Sequence, residues 1–208
     1  MQVEALAKVS TALDADAVMI IEAPDTSKSR DTVTALEAFA SAFDLRTCKA
    51  VTGFANDTQQ EIALLFDPDL LESVHDPKGQ APVPGAPHVE GAPRFDGTFR
   101  IDLDVDATED KVVFSKPPLE IALTVKATGK VLRLIGAHLK SKAPHGATTR
   151  DEVMRLSIAN RRKQLAQAIW LRARVQEHLE AGDPIMVMGD LNDGPGLDEY
   201  EKLFGRSG

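Results

Sequence analysis

The sequence predicts an α+β fold in which mixed β-sheets are covered by helices, and three observations lead to this prediction. Apolar residues recur at helical spacing at the start of the chain, again near residue 33, and over a long stretch from about residue 149. Short apolar or alternating runs lie between these helices in two groups. Turns join several neighbouring runs, which favours hairpins over a purely parallel βαβ array.

The first half of the chain is predicted to contain two helices and four strands. Apolar residues at helical spacing indicate an opening helix over 3–13, and a second helix over about 33–43 has Ser29 or Asp31 as its cap. A tight turn at Asn56-Asp57 connects the second strand to the third. The predicted strands are 17–22, 47–53, 61–66 and 99–105.

The segment 67–97 differs from its surroundings in composition, because it contains six prolines and few large apolar residues. We predict a long surface loop within a single domain that spans residues 1–208. Loops on this kind of scaffold often carry specificity, but nothing in this segment identifies a ligand.

The second half is predicted to contain three strands, a long helix, a further strand and a short final helix. The strands are 111–115, 119–126 and 131–139, with a hairpin turn at Thr128-Gly129. The long helix covers about 149–180, with an interruption near Asn160 and with its apolar face formed by Leu165, Ile169, Val175 and Leu179. Residues 161–164 are predicted to be an exposed basic face. The last strand and helix are 185–188 and 197–204.

Composition and charge exclude several classes of protein. A chain of 208 residues that is 43% hydrophobic can bury one substantial core, and the single Cys48 cannot form an intrachain disulfide. The net charge of -8 disfavours nonspecific DNA binding. No apolar run approaches the length of a membrane span, and the first residues lack a signal-peptide pattern, so cytoplasmic is the default and localisation is otherwise open.

Polar side chains stand at the ends of three apolar strands. Residues 189–194, Gly-Asp-Leu-Asn-Asp-Gly, follow the strand 185–188 and place Asp190 and Asn192 at its tip. Glu22 and His138 end two other strands in the same way. Such strand tips present catalytic groups in α/β proteins. The structural alternatives are an Asp/Asn-rich turn for 189–194, a solvated strand end for Glu22 and a structural role for His138. The remaining histidines are not at zinc-ligand spacing.

Taken in order, these stretches resemble the endonuclease/exonuclease/phosphatase superfamily, which includes DNase I-like nucleases, inositol-phosphate phosphatases and sphingomyelinases. The resemblance implies a two-layer β-sandwich flanked by helices, in four layers α/β/β/α, with the site at the strand ends between its halves. The matching pieces are 16–22 (Asp-Ala-Val-Met-Ile-Ile-Glu), 116–120 (Lys-Pro-Pro-Leu-Glu), 137–141 (Ala-His-Leu-Lys-Ser) and 187–195 (Val-Met-Gly-Asp-Leu-Asn-Asp-Gly-Pro).

The resemblance also implies roles for individual residues in the hydrolysis of phosphate esters. Glu22 would ligate Mg²⁺, with Mn²⁺ as an alternative, and His138 would bind the scissile phosphate. Asp190 would orient or activate the attacking water, and Asn192 would hydrogen-bond the phosphoryl group. Lys140 and Asn56 are the candidate substrate-binding residues. Catalysis of this kind depends mainly on positioning and charge neutralisation.

The sequence departs from the family pattern at both ends. The Asn-bearing first strand and the C-terminal Asp-His segment are not found, so the fold is expected to be incomplete at both termini. Lys116 stands where an arginine is common. The alternative function is therefore a catalytically incomplete relative that acts as a binding or assembly module, with a homo-oligomer formed through exposed sheet edges. A DNA nuclease is disfavoured by the net charge.

Overall fold

A computed structural model of the protein describes residues 2–58, 60–82, 91–102 and 108–194. Three helices and nine strands are present within these ranges. The helices are α1 Gln2–Leu13, α2 Thr32–Ala42 and α3 Arg150–Glu180. The strands are β1 Ala17–Pro24, β2 Lys49–Thr52, β3 Gln60–Phe66, β4 Leu71–His75, β5 Phe99–Ile101, β6 Asp110–Val112, β7 Leu119–Val125, β8 Lys130–His138 and β9 Ile185–Asp190.

The strands form two principal sheets. The first sheet has the order β1-β3-β2 and is antiparallel throughout. The second has the order β4-β7-β8-β9, in which only β8 and β9 are parallel. Strands β5 and β6 pair as a separate two-stranded ribbon. Because α3 connects the parallel strands, β8-α3-β9 is a βαβ unit joined to an otherwise antiparallel sheet.

Three hydrophobic clusters show how the layers stack. Between the sheets, Leu64 of β3 packs with Ile121 of β7 and Leu134 of β8. On the outer face of the first sheet, Leu36 of α2 covers Leu65. On the outer face of the second, α3 packs against β8 and β9, and its central residue is the fully buried Trp170. The α+β class and the α/β/β/α arrangement are therefore confirmed.

Strand β1 does not end at Glu22 as predicted but passes through a β-bulge there. Ile21 pairs with Ile62 and Ala23 pairs with Glu61, so Glu22 is the extra residue. Its φ of 62° lies in the left-handed region. A bulge interrupts the alternation of side chains and redirects the bulged residue. The irregularity therefore exposes the Glu22 carboxylate at the end of the strand.

The prediction that 67–97 is entirely loop is wrong, because this segment contains β4. Leu71 is buried and pairs with Val125 of β7. The strand lies between Pro68 and Pro77, and it was missed because the proline content of the whole segment outweighed five residues with weak alternation. The rest of the loop is described only in part.

Helix α3 is continuous, so the predicted interruption at Asn160 is wrong. The Asn160 amide donates to the carbonyl oxygen of Ala143 at 2.8 Å and leaves the helical backbone intact. The helix begins with a capping box in which Thr149 and Glu152 exchange hydrogen bonds. A cap of this strength explains the sharp start at Arg150.

The buried face of α3 is also different from the predicted one. Leu165 and Leu179 are each 56% exposed, whereas Gln164, which was predicted to be exposed, is buried. The side chains of Gln164, Gln167 and Arg174 on this face have hydrogen-bond partners. The hydroxyl of Ser157 is buried without one within the described residues. The buried residues of α3 are Ser157, Gln164, Ala166, Gln167, Trp170, Leu171, Arg174 and His178.

Replacing Gln167 with leucine is expected to lower the free energy of unfolding by about 1–3 kcal/mol, although position 167 lies on the buried face of α3. The Gln167 side chain accepts from the Lys140 amide at 2.8 Å and donates to the Val113 carbonyl at 3.3 Å, and leucine would leave both unpaired. Urea unfolding measures the difference. Leu165→Gln is the matched control and should change stability by less than about 0.5 kcal/mol.

Some predictions concern residues outside the described ranges. The final helix 197–204 and the second half of the strand 99–105 lie there, as do Pro195 and Gly196. Among the described helices, none combines the length and apolar character that crossing a bilayer requires.

Candidate active site

The parallel pairing of β8 and β9 brings His138 and Asp190 side by side. The two residues are register partners at the carboxyl ends of adjacent strands. The residues just before His138 are buried, whereas the apolar run before Asp190 is only partly buried, with Met186 49% exposed. The Nε2 atom of His138 lies 3.8 Å from Oδ2 of Asp190. This separation is longer than a direct hydrogen bond and suits a bridging water or substrate oxygen.

Glu22 approaches the same histidine from the other sheet. Its Oε1 atom lies 4.0 Å from Nδ1 of His138. The side chains of Glu22 and Asp190 are about half exposed, whereas that of His138 is only 12% exposed. A sheltered imidazole therefore lies between two accessible carboxylates, so the structure brings these three candidate residues together.

Lys116 joins this group, and the sequence analysis noted the residue without giving it a role. The Lys116 ammonium contacts Oε1 of Glu22 at 3.2 Å, Nδ1 of His138 at 3.2 Å, and the side-chain oxygen of Gln60. The two prolines after Lys116 favour an extended backbone at this position, and Phe114 is buried before it. No sequence signal indicated Gln60.

The loop after β9 is held by several hydrogen bonds. Oδ1 of Asp190 accepts from the Asn192 amide N–H at 2.8 Å, and the Asn192 side chain donates to the Leu139 carbonyl at 2.8 Å. The Gln164 side chain donates to the Leu191 and Asn192 carbonyls at 2.9 and 2.7 Å. These contacts keep Oδ2 of Asp190 free to face His138.

Asp193, which follows Asn192, has a separate ion-pair partner. Its Oδ1 atom accepts from the ammonium of the buried Lys142 at 2.7 Å. This ion pair gives Asp193 a partner in the loop after β8. Asp193 therefore connects the ends of β8 and β9.

The electrostatic environment favours a neutral His138. Burial lowers the pKa of its imidazole, and the neighbouring Lys116 ammonium lowers the pKa further. The carboxylates of Asp190 and Glu22 act in the opposite direction. A neutral imidazole keeps one N–H donor and one acceptor nitrogen.

Asn56 and Lys140 are not brought into this group. The Asn56 amide donates to the Gln60 carbonyl at 2.9 Å and to Oε2 of the buried Glu61 at 2.7 Å, so it closes the β2–β3 connection. Lys140 lies beside α3, where its charge contributes to lowering the pKa of Lys163 after the larger effect of burial. Their roles in substrate binding stay predictions.

The donors near Glu22 fit a water-rich magnesium site. Within the described ranges, no group of three or more His, Cys, Asp or Glu side chains converges as a ligand cluster. Mg²⁺ does not require one, since it commonly takes one or two carboxylates and keeps several waters. Glu22 offers an accessible carboxylate. The Gln60 amide oxygen is close to it, because the Lys116 ammonium contacts both groups. Both are the hard oxygen donors that Mg²⁺ prefers.

Searches of family models and of curated proteins each found no match to this chain. Solved structures are similar to it over most of its length. The human Nocturnin catalytic domain with bound sulfate anion is 18% identical, with a TM-score of 0.46, and the similarity covers 97% of this chain and 60% of that one. Truncated Caenorhabditis elegans TDP2 is 15% identical, with a TM-score of 0.44, covering 92% and 55%.

A functionally unknown conserved protein from Enterococcus faecalis V583 is also similar, with 15% identity and a TM-score of 0.45. The similarity covers 97% of this chain and 62% of that structure. The chain thus spans between 55% and 62% of the length of these three structures. In its own layers, the chain has the α/β/β/α arrangement that the resemblance of its sequence implies.

Proposed function

We propose that the protein is a divalent-metal-dependent hydrolase of phosphate esters, of the phosphodiesterase, phosphatase or nuclease type. The observation that supports this function best is the position of His138, between Glu22 at 4.0 Å and Asp190 at 3.8 Å. The three residues come from three strands in two sheets, β1 in the first sheet and β8 and β9 in the second. A phosphoryl group held there would meet a hydrogen-bond donor, a water-orienting carboxylate and a metal-binding carboxylate at once.

Each side chain has a distinct task in the proposed reaction. His138 donates a hydrogen bond to a phosphoryl oxygen and stabilises its developing charge. Asp190 uses Oδ2 to orient the attacking water, since Oδ1 is engaged by the Asn192 backbone. The side-chain amide of Asn192 donates one N–H to the Leu139 carbonyl, and its second N–H is the donor to the phosphoryl group.

Glu22 is the residue that would hold Mg²⁺ or Mn²⁺, with water and substrate oxygens completing the coordination. When bound, the ion would neutralise charge on phosphoryl oxygens. Lys140 and Asn56 have a more distant place in this proposal, as contacts for parts of the substrate away from the scissile bond.

Alanine at Asp190 or His138 is expected to lower kcat/KM about 10²–10⁴-fold for an activated phosphodiester such as bis(p-nitrophenyl) phosphate with Mg²⁺. Each substitution removes a group that acts on the phosphoryl centre. EDTA should abolish turnover, and added Mg²⁺ should restore it. Glu72→Ala is the control, because Glu72 is an exposed carboxylate on β4. Turnover that persists in both site variants would refute the assigned roles.

The alternative, a catalytically incomplete relative that acts as a binding or assembly module, is favoured by one observation. The apolar face of α1 is exposed to solvent, and α1 buries only Ala7. Solution mass and metal titration distinguish the two functions. A monomer that binds Mg²⁺ and turns over substrate would exclude the assembly module. The exposed residues of this face are Val3, Leu6, Val9 and Leu13.

A further inference from the structure

The Lys116 ammonium makes three polar contacts in the candidate active site. Its side chain is 14% exposed, and its ammonium lies 3.2 Å from Oε1 of Glu22 and 3.2 Å from Nδ1 of His138. The Gln60 side-chain oxygen is the third partner. An ammonium has three N–H donors, and all three have an acceptor here.

The direction of these hydrogen bonds determines which nitrogen of His138 carries the proton. An ammonium has no lone pair, so Nδ1 of His138 must be the acceptor in its contact with Lys116. A neutral imidazole has one N–H, and that proton must then be on Nε2. The Nε2 atom is the one that faces Asp190.

We propose that Lys116 is a positioning residue that holds His138 in the Nε2–H tautomer, with the N–H directed toward Asp190. The contact with Glu22 reinforces this effect, because the same ammonium lies next to the carboxylate that would otherwise attract a proton on Nδ1. The histidine is thereby prepared as a donor before any substrate arrives.

The consequence for catalysis rests on the proposed function. If a phosphoryl oxygen occupies the space between Nε2 and Asp190, only the Nε2–H tautomer can donate to it. The other tautomer would present a lone pair to an anionic oxygen. Lys116 would then influence the rate without contacting the reacting atoms.

The test is nitrogen NMR on protein labelled with ¹⁵N-histidine, recorded near pH 8 without metal or substrate. In the wild type, Nδ1 of His138 should show the shift of an unprotonated nitrogen and Nε2 that of a protonated one. In Lys116→Met, Nδ1 faces Glu22 without the ammonium, and the tautomer ratio should move toward Nδ1–H by about tenfold, the effect of one charge-assisted hydrogen bond. Lys116→Arg should restore the wild-type ratio, because a guanidinium also only donates.

One further variant and one internal control make the result unambiguous. The His138→Gln spectrum assigns the signal by its disappearance, and the His178 signal serves as an internal control for folding. His178 pairs with Asp183 at 2.8 Å and has no contact with Lys116, so its shifts should be the same in every variant.

The proposal is overturned if Nδ1 carries the proton in the wild type, a result that needs no variant to fold. It is also overturned if folded Lys116→Met keeps the wild-type ratio. The outcome is separable from the proposed function, since neither metal nor substrate is used. The expected tautomer in a protein without hydrolytic activity would refute the function alone.

Discussion

Replacing Gly189 with alanine is expected to lower the free energy of unfolding by about 4 kcal/mol or more and to abolish the geometry of the site. Gly189 has a φ of 139°, a conformation that is essentially restricted to glycine. A Cβ atom there would lie 2.0 Å from the carbonyl oxygen of Ala137 on the paired strand. Backbone on both sides has little freedom to move, so β8 and β9 would have to separate where His138 and Asp190 lie.

Urea unfolding and the His138 NMR signal together measure this effect. Gly182→Ala is the matched control, because Gly182 also has a positive φ of 75° but a Cβ atom there would meet nothing within 4 Å. The control should cost only about 1–2 kcal/mol, the usual penalty for the left-handed conformation. Equal losses in the two variants would show that the contact with Ala137 has no particular importance.

Replacing Arg174 with methionine is expected to lower the free energy of unfolding by about 3–5 kcal/mol, although methionine keeps the apolar stem. The guanidinium is buried, and its Nε atom lies 3.1 Å from Oε1 of the equally buried Glu120. Burial raises the pKa of Glu120 to about 7, while the Arg174 charge opposes this rise. Without Arg174 the carboxyl group would lose its main compensating charge.

Arg174 also attaches a peripheral segment to the core. Its second guanidinium nitrogen donates to the carbonyl oxygens of Lys78, Ala92 and Pro93 at 2.9, 3.0 and 3.2 Å. In the variant, the Lys78 and Ala92 carbonyls would lose this donor, which adds to the cost. The Pro93 carbonyl would keep the Trp170 indole N–H, which donates to it at 2.8 Å.

Urea unfolding of Arg174→Met and of Arg172→Met separates this burial effect from a general loss of charge. Arg172 is exposed on the same helix, and its substitution should change stability by less than about 0.5 kcal/mol. A loss below 1 kcal/mol for Arg174→Met would mean that the Glu120 pair contributes little net stability.

The sequence predicted most of the strands and the three principal site residues for clear physical reasons. Apolar runs such as 185–188 are bounded by glycine, and the polar residues after them must lie at strand ends. Glu22, His138 and Asp190 could be identified in this way, and the structure places the side chains of Glu22 and Asp190 at 4.0 and 3.8 Å from that of His138. Periodicity also predicted α1 and α2.

The rest depended on pairing that no local pattern encodes. The buried face of α3 contains Gln164, Gln167 and Arg174, which are acceptable in the interior only because distant backbone groups satisfy them. A hydrophobic pattern therefore selected Leu165 and Leu179, which are exposed. Strand β4 was not predicted because its residues adopt the extended conformation through pairing with β7 rather than through their own preferences.

The parallel pairing of β8 and β9 has a consequence for how the site is distributed along the chain. His138 and Asp190 lie side by side only because the chain between them, which includes the 31-residue helix α3, returns to the same end of the sheet. Contacts between residues so far apart along the chain form late and slow folding. No short fragment of the chain can contain both residues, so the site is a property of the assembled topology rather than of any motif.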